Sequence, residues 1–306
     1  MIESLIVRTP LLPFWEPKLA ANVYLKAENL QCFGSYKIRG VAAAISKCAP
    51  QNLVNGLSTV SAGNLAQAVA FAAQILKIPC KVFVPENAPQ IKKNAIKAFG
   101  ADLIELPFDK IWDLVKNGLF QRDGELFIHP LQTPGILEGY GNIATEILAD
   151  CPAADALIIP FGLGGLSLGI SRVMKQIKPQ MDIYLCEPET ASPFHYALRT
   201  GRPTRIERQS SFVDAIGTPE VLPEVFKELR SLVVDSLVLS NHEAKLAVSR
   251  ALFGQKLLCE GAAAVSLAAA IRLANSKDYK NIVCIISGGN LSPEVLREIL
   301  IDQKES

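Results

Sequence analysis

The sequence predicts an α/β fold of two domains, each a largely parallel, twisted sheet covered by helices. Three observations predict it. Short β-type apolar runs alternate almost throughout with amphipathic or alanine-rich stretches of helical length, which is the pattern of repeated βαβ units. The chain has 306 residues, more than one core usually organises. Hydrophobic residues make up 49% and charged residues 20%, which places the chain among globular proteins.

In chain order the strand candidates are Val23–Leu25, Leu57–Val60, Lys81–Val84, Leu103–Leu106, Leu126–His129, Ala156–Ile159, Ile183–Cys186, Leu232–Leu239 and Ile282–Ile286. The helical stretches between them are Ile38–Ile45, Leu65–Leu76, Gln90–Phe99, Ile136–Leu148, Leu166–Ile177, Glu243–Phe253 and Ala262–Ala274. Open parallel sheets bind ligands beyond the carboxyl ends of their strands, so the loops after these strands are where chemistry is expected. Leu131 to Gly135, punctuated by His129-Pro130 and Pro134-Gly135, is the best candidate for a crossing between domains. The expected division is a smaller domain over 33–131 and a larger one that joins 1–32 to 132–306.

Composition excludes several classes of function. Basic and acidic residues number 31 and 30, for a net charge of +1, so neither nucleic acid nor an anionic membrane is an expected partner. Seven cysteines occur without a C-x-x-C pair, which argues for free thiols in a reducing compartment. Three histidines leave little room for a histidine-based metal centre. The first residues lack the basic-then-apolar order of a signal peptide. The longest uncharged run, Ala156 to Ile170, is broken by Pro160 and glycines and is too short to span a bilayer. A cytoplasmic location is therefore expected.

Four motifs carry the chemistry. In Gly34-Ser-Tyr-Lys-Ile-Arg-Gly40 a lysine follows small turn residues and opens a helix. Such an amine can point into a cleft and form a Schiff base with a carbonyl compound, pyridoxal phosphate among them; a plain surface lysine is the competing reading. Ser61-Ala-Gly-Asn64 lies between a strand and a helix, where backbone N–H groups and the helix dipole favour a carboxylate. An ordinary helix cap explains Ser and Asn there as well. Phe161-Gly-Leu-Gly-Gly-Leu166 is again strand, glycine-rich loop and helix, suited to a phosphate. It lacks the lysine of a P-loop and the G-x-G-x-x-G spacing of a dinucleotide site, so the phosphate would arrive on something else. Ser287-Gly-Gly-Asn290 follows a buried-looking strand. Its serine either meets a ring nitrogen with a neutral hydroxyl or caps the helix starting near Ser292.

These motifs, in this order and spacing, resemble the fold-type II pyridoxal-phosphate enzymes (tryptophan synthase β-like), and most closely the serine/threonine dehydratase (ammonia-lyase) branch. The likeness runs from TPLL at Thr9 and LKAENLQ at Leu25, through FIHP at Phe127, to SGGN. It implies that Lys37 holds the cofactor, with Tyr36 where the family usually has Phe beside the ring. Asn64 would bond the cofactor's phenolic oxygen, and Ser61, Ala62, Gly63 and Asn64 would form the substrate carboxylate site. Backbone from Gly162 through Leu163, Gly164 and Gly165 to Leu166 would bind the phosphate, and Ser287 would meet the pyridine nitrogen. Leu163 interrupts what is usually an all-glycine loop. Serine racemases carry a second serine where this chain has Ala62, so a proton carrier for the opposite face is missing. They also place a carboxylate six residues after a metal-binding Glu, where this chain has Pro193 after Glu187. Glu187 and the Ala191 carbonyl remain candidates for a monovalent cation such as potassium.

The resemblance implies β-elimination from serine or threonine to a 2-oxo acid and ammonia, by a homodimer. The rivals are elimination or replacement on another β-substituted amino acid, such as 3-hydroxyaspartate or a cysteine precursor, and a non-catalytic amino-acid-binding regulator on the same scaffold.

Overall fold

The computed structural model describes residues 2–117, 124–276 and 278–302. The chain divides into two compact units, Met1–Val7 with Tyr36–Tyr140, and Arg8–Ser35 with Gly141–Ser306.

The first unit carries a four-stranded, all-parallel sheet. Its strands are Gly56–Val60, Cys80–Pro85, Asp102–Leu106 and Glu125–Ile128, which we call β3 to β6 because two strands of the other unit precede them. The order is β5-β4-β3-β6. Central β3 is buried at every position, as expected of a strand covered on both faces. The helices are α1 (Lys37–Ser46), α2 (Asn64–Leu76), α3 (Gln90–Lys97) and α4 (Phe108–Asn117). α2 buries Leu65, Val69 and five alanines; small side chains let it sit close to the sheet. α4, not anticipated from the sequence, buries Ile111, Trp112, Leu114 and Val115 on one face, the spacing of an amphipathic helix.

The second unit carries a six-stranded sheet in the order β1-β2-β10-β7-β8-β9. Here β1 is Leu11–Phe14, β2 Asn22–Lys26, β7 Ala156–Pro160, β8 Asp182–Pro188, β9 Asp235–Leu239 and β10 Asn281–Ile285. All pairs are parallel except β1 with β2. Its helices are α6 (Gly165–Ile177), α7 (Pro193–Thr200), α8 (Pro223–Leu229), α9 (Asn241–Ser249), α10 (Gly261–Ser276) and α11 (Pro293–Asp302), while α5 (Ile136–Asp150) runs from one unit into the other. α10 is alanine-rich and almost wholly buried against the sheet. Each fully buried Leu, Ile or Val there contributes about 1.5–3 kcal/mol. Lys26, also fully buried, donates to the Thr9 carbonyl at 2.6 Å and to Glu146. Thr9 in turn donates to buried Glu28, so TPLL and LKAENLQ form one polar knot.

The unit boundaries fall at 7, 35 and 140, against the expected 32 and 131. Residues after 131 stay with the first unit because buried His129 folds the chain back. Its Nε2 donates to the Val115 carbonyl at 2.8 Å, and its Nδ1 accepts from the amides of Leu131 and Gln132 at 3.1 and 3.0 Å. The start of α5 then lies directly on α1. A Cβ at Gly139 would come within 2.3 Å of the Arg39 carbonyl, so only glycine permits this approach. Residues near the N-terminus join the same unit, with Arg39 donating to the Val7 carbonyl at 3.3 Å.

Candidate active site

In the first unit, Lys37 is the first residue of α1, and Tyr36 precedes it without any side-chain cap. The Lys37 amine sits 4.7 Å from the Tyr36 ring centroid and 5.7 Å from that of Tyr140, within the range where an ammonium is attracted by a ring face. The lysine is thus held among aromatic rings.

The Ser61–Asn64 segment follows β3 and starts α2. The cap reading of this motif is not what forms. Gly63 is the N-cap residue and no side chain caps the helix. Ser61 Oγ accepts from the Gly63 amide at 3.1 Å instead, a local turn that folds the loop over the helix start. The N-cap residue of α2 thus brings no side chain of its own to the first-turn N–H groups, as an anion site requires. A Cβ at Gly63 would meet nothing within 4 Å, so the loop borders open space.

In the second unit, the glycine-rich loop links β7 to α6. Gly164 caps α6 at φ +100°, again with no side-chain cap. An L side chain rarely adopts this φ, and a Cβ there would lie 2.5 Å from Val225 Cγ1. Thr218 Oγ1 donates to the Gly162 carbonyl at 3.3 Å. A conformation open only to glycine, uncapped helix amides and a short connection together form a cradle that fits a phosphate.

Ser287 is 2% exposed and follows β10. It does not cap the next helix: Ser292 does, its Oγ accepting from the Val295 amide at 3.3 Å. The residues after Ser287 are stitched to the front of the lysine motif. Ser35 and Gly288 form an antiparallel bridge. The Gly289 amide donates to the Gly34 carbonyl at 2.8 Å, and Asn290 Nδ2 donates to the Phe33 carbonyl at 2.8 Å. The two motifs are separated by most of the chain, and nothing in the sequence predicts this pairing.

Glu187, at the carboxyl end of β8, is fully buried. Its Oε1 accepts from the Phe194 amide at 2.8 Å, and its Oε2 from the His195 amide at 2.7 Å and Ser236 Oγ at 2.5 Å. It thus caps α7 from a neighbouring strand. Burial pushes this carboxyl up to about 7, against the three hydrogen bonds that favour its charge. Ala191, also buried, lies in the turn between β8 and α7. Among the described residues no group of three or more His, Cys, Asp or Glu is arranged to hold a metal ion.

The residues of each unit fit pyridoxal phosphate. One unit presents an amine and an uncapped helix start; the other presents a phosphate cradle and a buried serine at a strand end. A family model described as "Pyridoxal-phosphate dependent enzyme" matches residues 2–288. The L-threonine ammonia-lyase of Geobacter sulfurreducens is 33% identical over 285 residues, covering 92% of this chain and 71% of that protein. The serine racemase of Rattus norvegicus is 34% identical over 278 residues, covering 88% of this chain and 83% of that protein. Among solved structures, the processed form of threonine deaminase isoform 2 from Solanum lycopersicum matches with TM-score 0.85 at 28% identity, covering 97% of this chain and 88% of that one. Maize serine racemase matches with TM-score 0.87 at 26% identity, covering 99% and 94%.

Proposed function

The chain belongs to the pyridoxal-phosphate dependent enzymes, and on that premise we propose a lyase that removes the β-hydroxyl of L-serine or L-threonine and releases a 2-oxo acid and ammonia. The set of parts that the two units supply carries the reading: a lysine opening α1 and a loop starting α2 in one, a glycine-rich cradle at α6 and a buried serine after β10 in the other.

Pyridoxal phosphate, when bound, supplies an electron sink for the charge left at the substrate α-carbon. Lys37 would hold it covalently at rest and, once released, take the α-proton as a positioned base. Backbone N–H groups from Gly162 to Leu166 would bind its phosphate, and Asn64 would bond its phenolic oxygen. Ser61 to Asn64 and the start of α2 would take the substrate carboxylate. Ser287 would face the ring nitrogen with a neutral hydroxyl; without an acid partner the sink is weaker, and loss of the β-substituent competes better with transamination. The two compact units would be the two domains that share this work.

Relatives named as ammonia-lyases and as racemases both match this chain. Ala62 favours the lyase, because its methyl group has no proton to deliver to the face opposite Lys37. The reading extends to a cytoplasmic homodimer. None of the seven cysteines forms a disulfide, and among the described residues no helix is long and apolar enough to cross a membrane. A potassium ion at Glu187 and the Ala191 carbonyl is its outermost part; such an ion would share Glu187 with three hydrogen-bond donors, and activity in potassium against sodium tests it.

The test is release of 2-oxo acid by cofactor-loaded protein over serine, threonine, 3-hydroxyaspartate and O-substituted serines. Fastest turnover of serine or threonine supports the proposal. Preference for another β-substituent moves the substrate class, and cofactor binding without turnover of any member makes the chain a regulator.

A further inference from the structure

Two tyrosines flank Lys37, and one of them is anomalous. The rings of Tyr36 and Tyr140 meet edge to face, 4.9 Å apart. Tyr140 is fully buried, and its hydroxyl has no hydrogen-bond partner. A buried hydroxyl left unpaired is destabilising, so a phenylalanine would fit the same packing with less cost. The hydroxyl-bearing end of the ring is turned toward α1: a Cβ at Gly40 would lie 2.6 Å from Tyr140 Cζ. Gly40 stands three residues after Lys37, hence on the same helical face. Burial pushes the phenol well above its ordinary range, with the Lys37 charge acting the other way, so the group is a neutral O–H beside the reactive amine.

We propose that Tyr140 is a positioning residue: its hydroxyl, unpaired while the Lys37 amine lies over the ring, accepts a hydrogen bond from that amine when the stem turns toward the phenol oxygen, in cofactor-free protein and after substrate has displaced the lysine. A long, flexible lysine stem gains a fixed stop at the stage when it must act as a base, and the orphaned hydroxyl gains its partner. This rests on the assignment of Lys37 made above.

Tyr140→Phe tests it, since the ring and its packing stay and only the oxygen goes. The expected results are a thermal midpoint equal to or above that of the wild type, and kcat lower by about tenfold, the loss of one hydrogen bond to a charged group. KM should stay within about twofold, because the contact forms after substrate binds. In cofactor-free protein, acylation of Lys37 at fixed pH, followed by peptide mass spectrometry, should quicken by about threefold or more as the amine loses its tether. Unchanged kcat and unchanged labelling, with a raised midpoint, would overturn the proposal, as would a lowered midpoint, which assigns the hydroxyl to structure. Failure of the wild-type protein to bind cofactor at Lys37 defeats the functional reading itself, a result separable from a silent Tyr140→Phe.

Discussion

Glu187→Gln should remove a pH dependence of stability that the wild-type protein carries between about pH 4.5 and pH 7. The carboxyl is buried, and burial moves it from its ordinary value of 4.5 to about 7. Below pH 4.5 it is protonated in both folded and unfolded chains. Between the two values only the folded chain keeps the proton, so folding stability falls as pH rises through this window, and above about 7 the dependence ends. The window is about 2.5 pH units wide, and at about 1.4 kcal/mol per unit the span is on the order of 3 kcal/mol. Glutamine does not titrate. Its NH2 would also face one of three donors, from Phe194, His195 and Ser236, adding a pH-independent cost of about 1–3 kcal/mol. Urea unfolding of both proteins from pH 4.5 to 8 gives the difference, in which all other titrating groups cancel. The wild type should lead by most at the acid end, and its lead should shrink as pH rises. A lead that grows with pH would mean that the three donors outweigh burial and keep the carboxylate charged.

Two further outcomes are expected. Gly164→Ala should weaken cofactor binding by tenfold or more and lower stability by about 1–3 kcal/mol, since φ +100° and Val225 Cγ1 at 2.5 Å both oppose a methyl group; absorbance titration of cofactor-free protein and urea unfolding measure the two effects, and an affinity equal to wild type would remove the loop from the site. Partial turnover of L-serine by the unmutated enzyme should leave almost no D-serine, whereas Ala62→Ser should produce some and slow elimination of threonine more than serine. Chiral chromatography of the residual substrate decides this, and abundant D-serine from the unmutated enzyme would show that another group delivers the second proton.

Much of the fold was legible because burial imposes periodicity. Runs such as Leu57–Val60 and Ala156–Ile159 have no solvent face, and they became central strands β3 and β7. The strand Leu11–Phe14 was missed: Pro13 interrupts a four-residue run, and an antiparallel edge strand buries too little to leave a pattern. The apolar run Leu232–Val234 predicts strand, but Leu232 and Val233 form the turn out of α8, Val234 donates to Ile183 of β8, and β9 begins at Asp235. The helix expected from Glu243 starts earlier, since Ser240 and Glu243 make a reciprocal capping box. For the candidate site, the sequence predicts a lysine opening a helix and two loops joining a strand to a helix, and Lys37 is the first residue of α1 while the loops after β3 and β7 start α2 and α6. The Ser35–Gly288 pairing and the Tyr140 hydroxyl were not legible. Both depend on contacts between residues far apart in sequence, which no local pattern encodes.

Lys37 carries the proposed chemistry, and borohydride reduction tests its role most directly. Protein loaded with pyridoxal phosphate should be yellow. Reduction followed by proteolysis should place the cofactor on the peptide containing Tyr36-Lys37-Ile38, and Lys37→Ala should lose both the label and elimination, the loss of a base alone being worth roughly 10²–10⁴-fold. A label on a different lysine, or near-normal turnover by Lys37→Ala, would contradict the account.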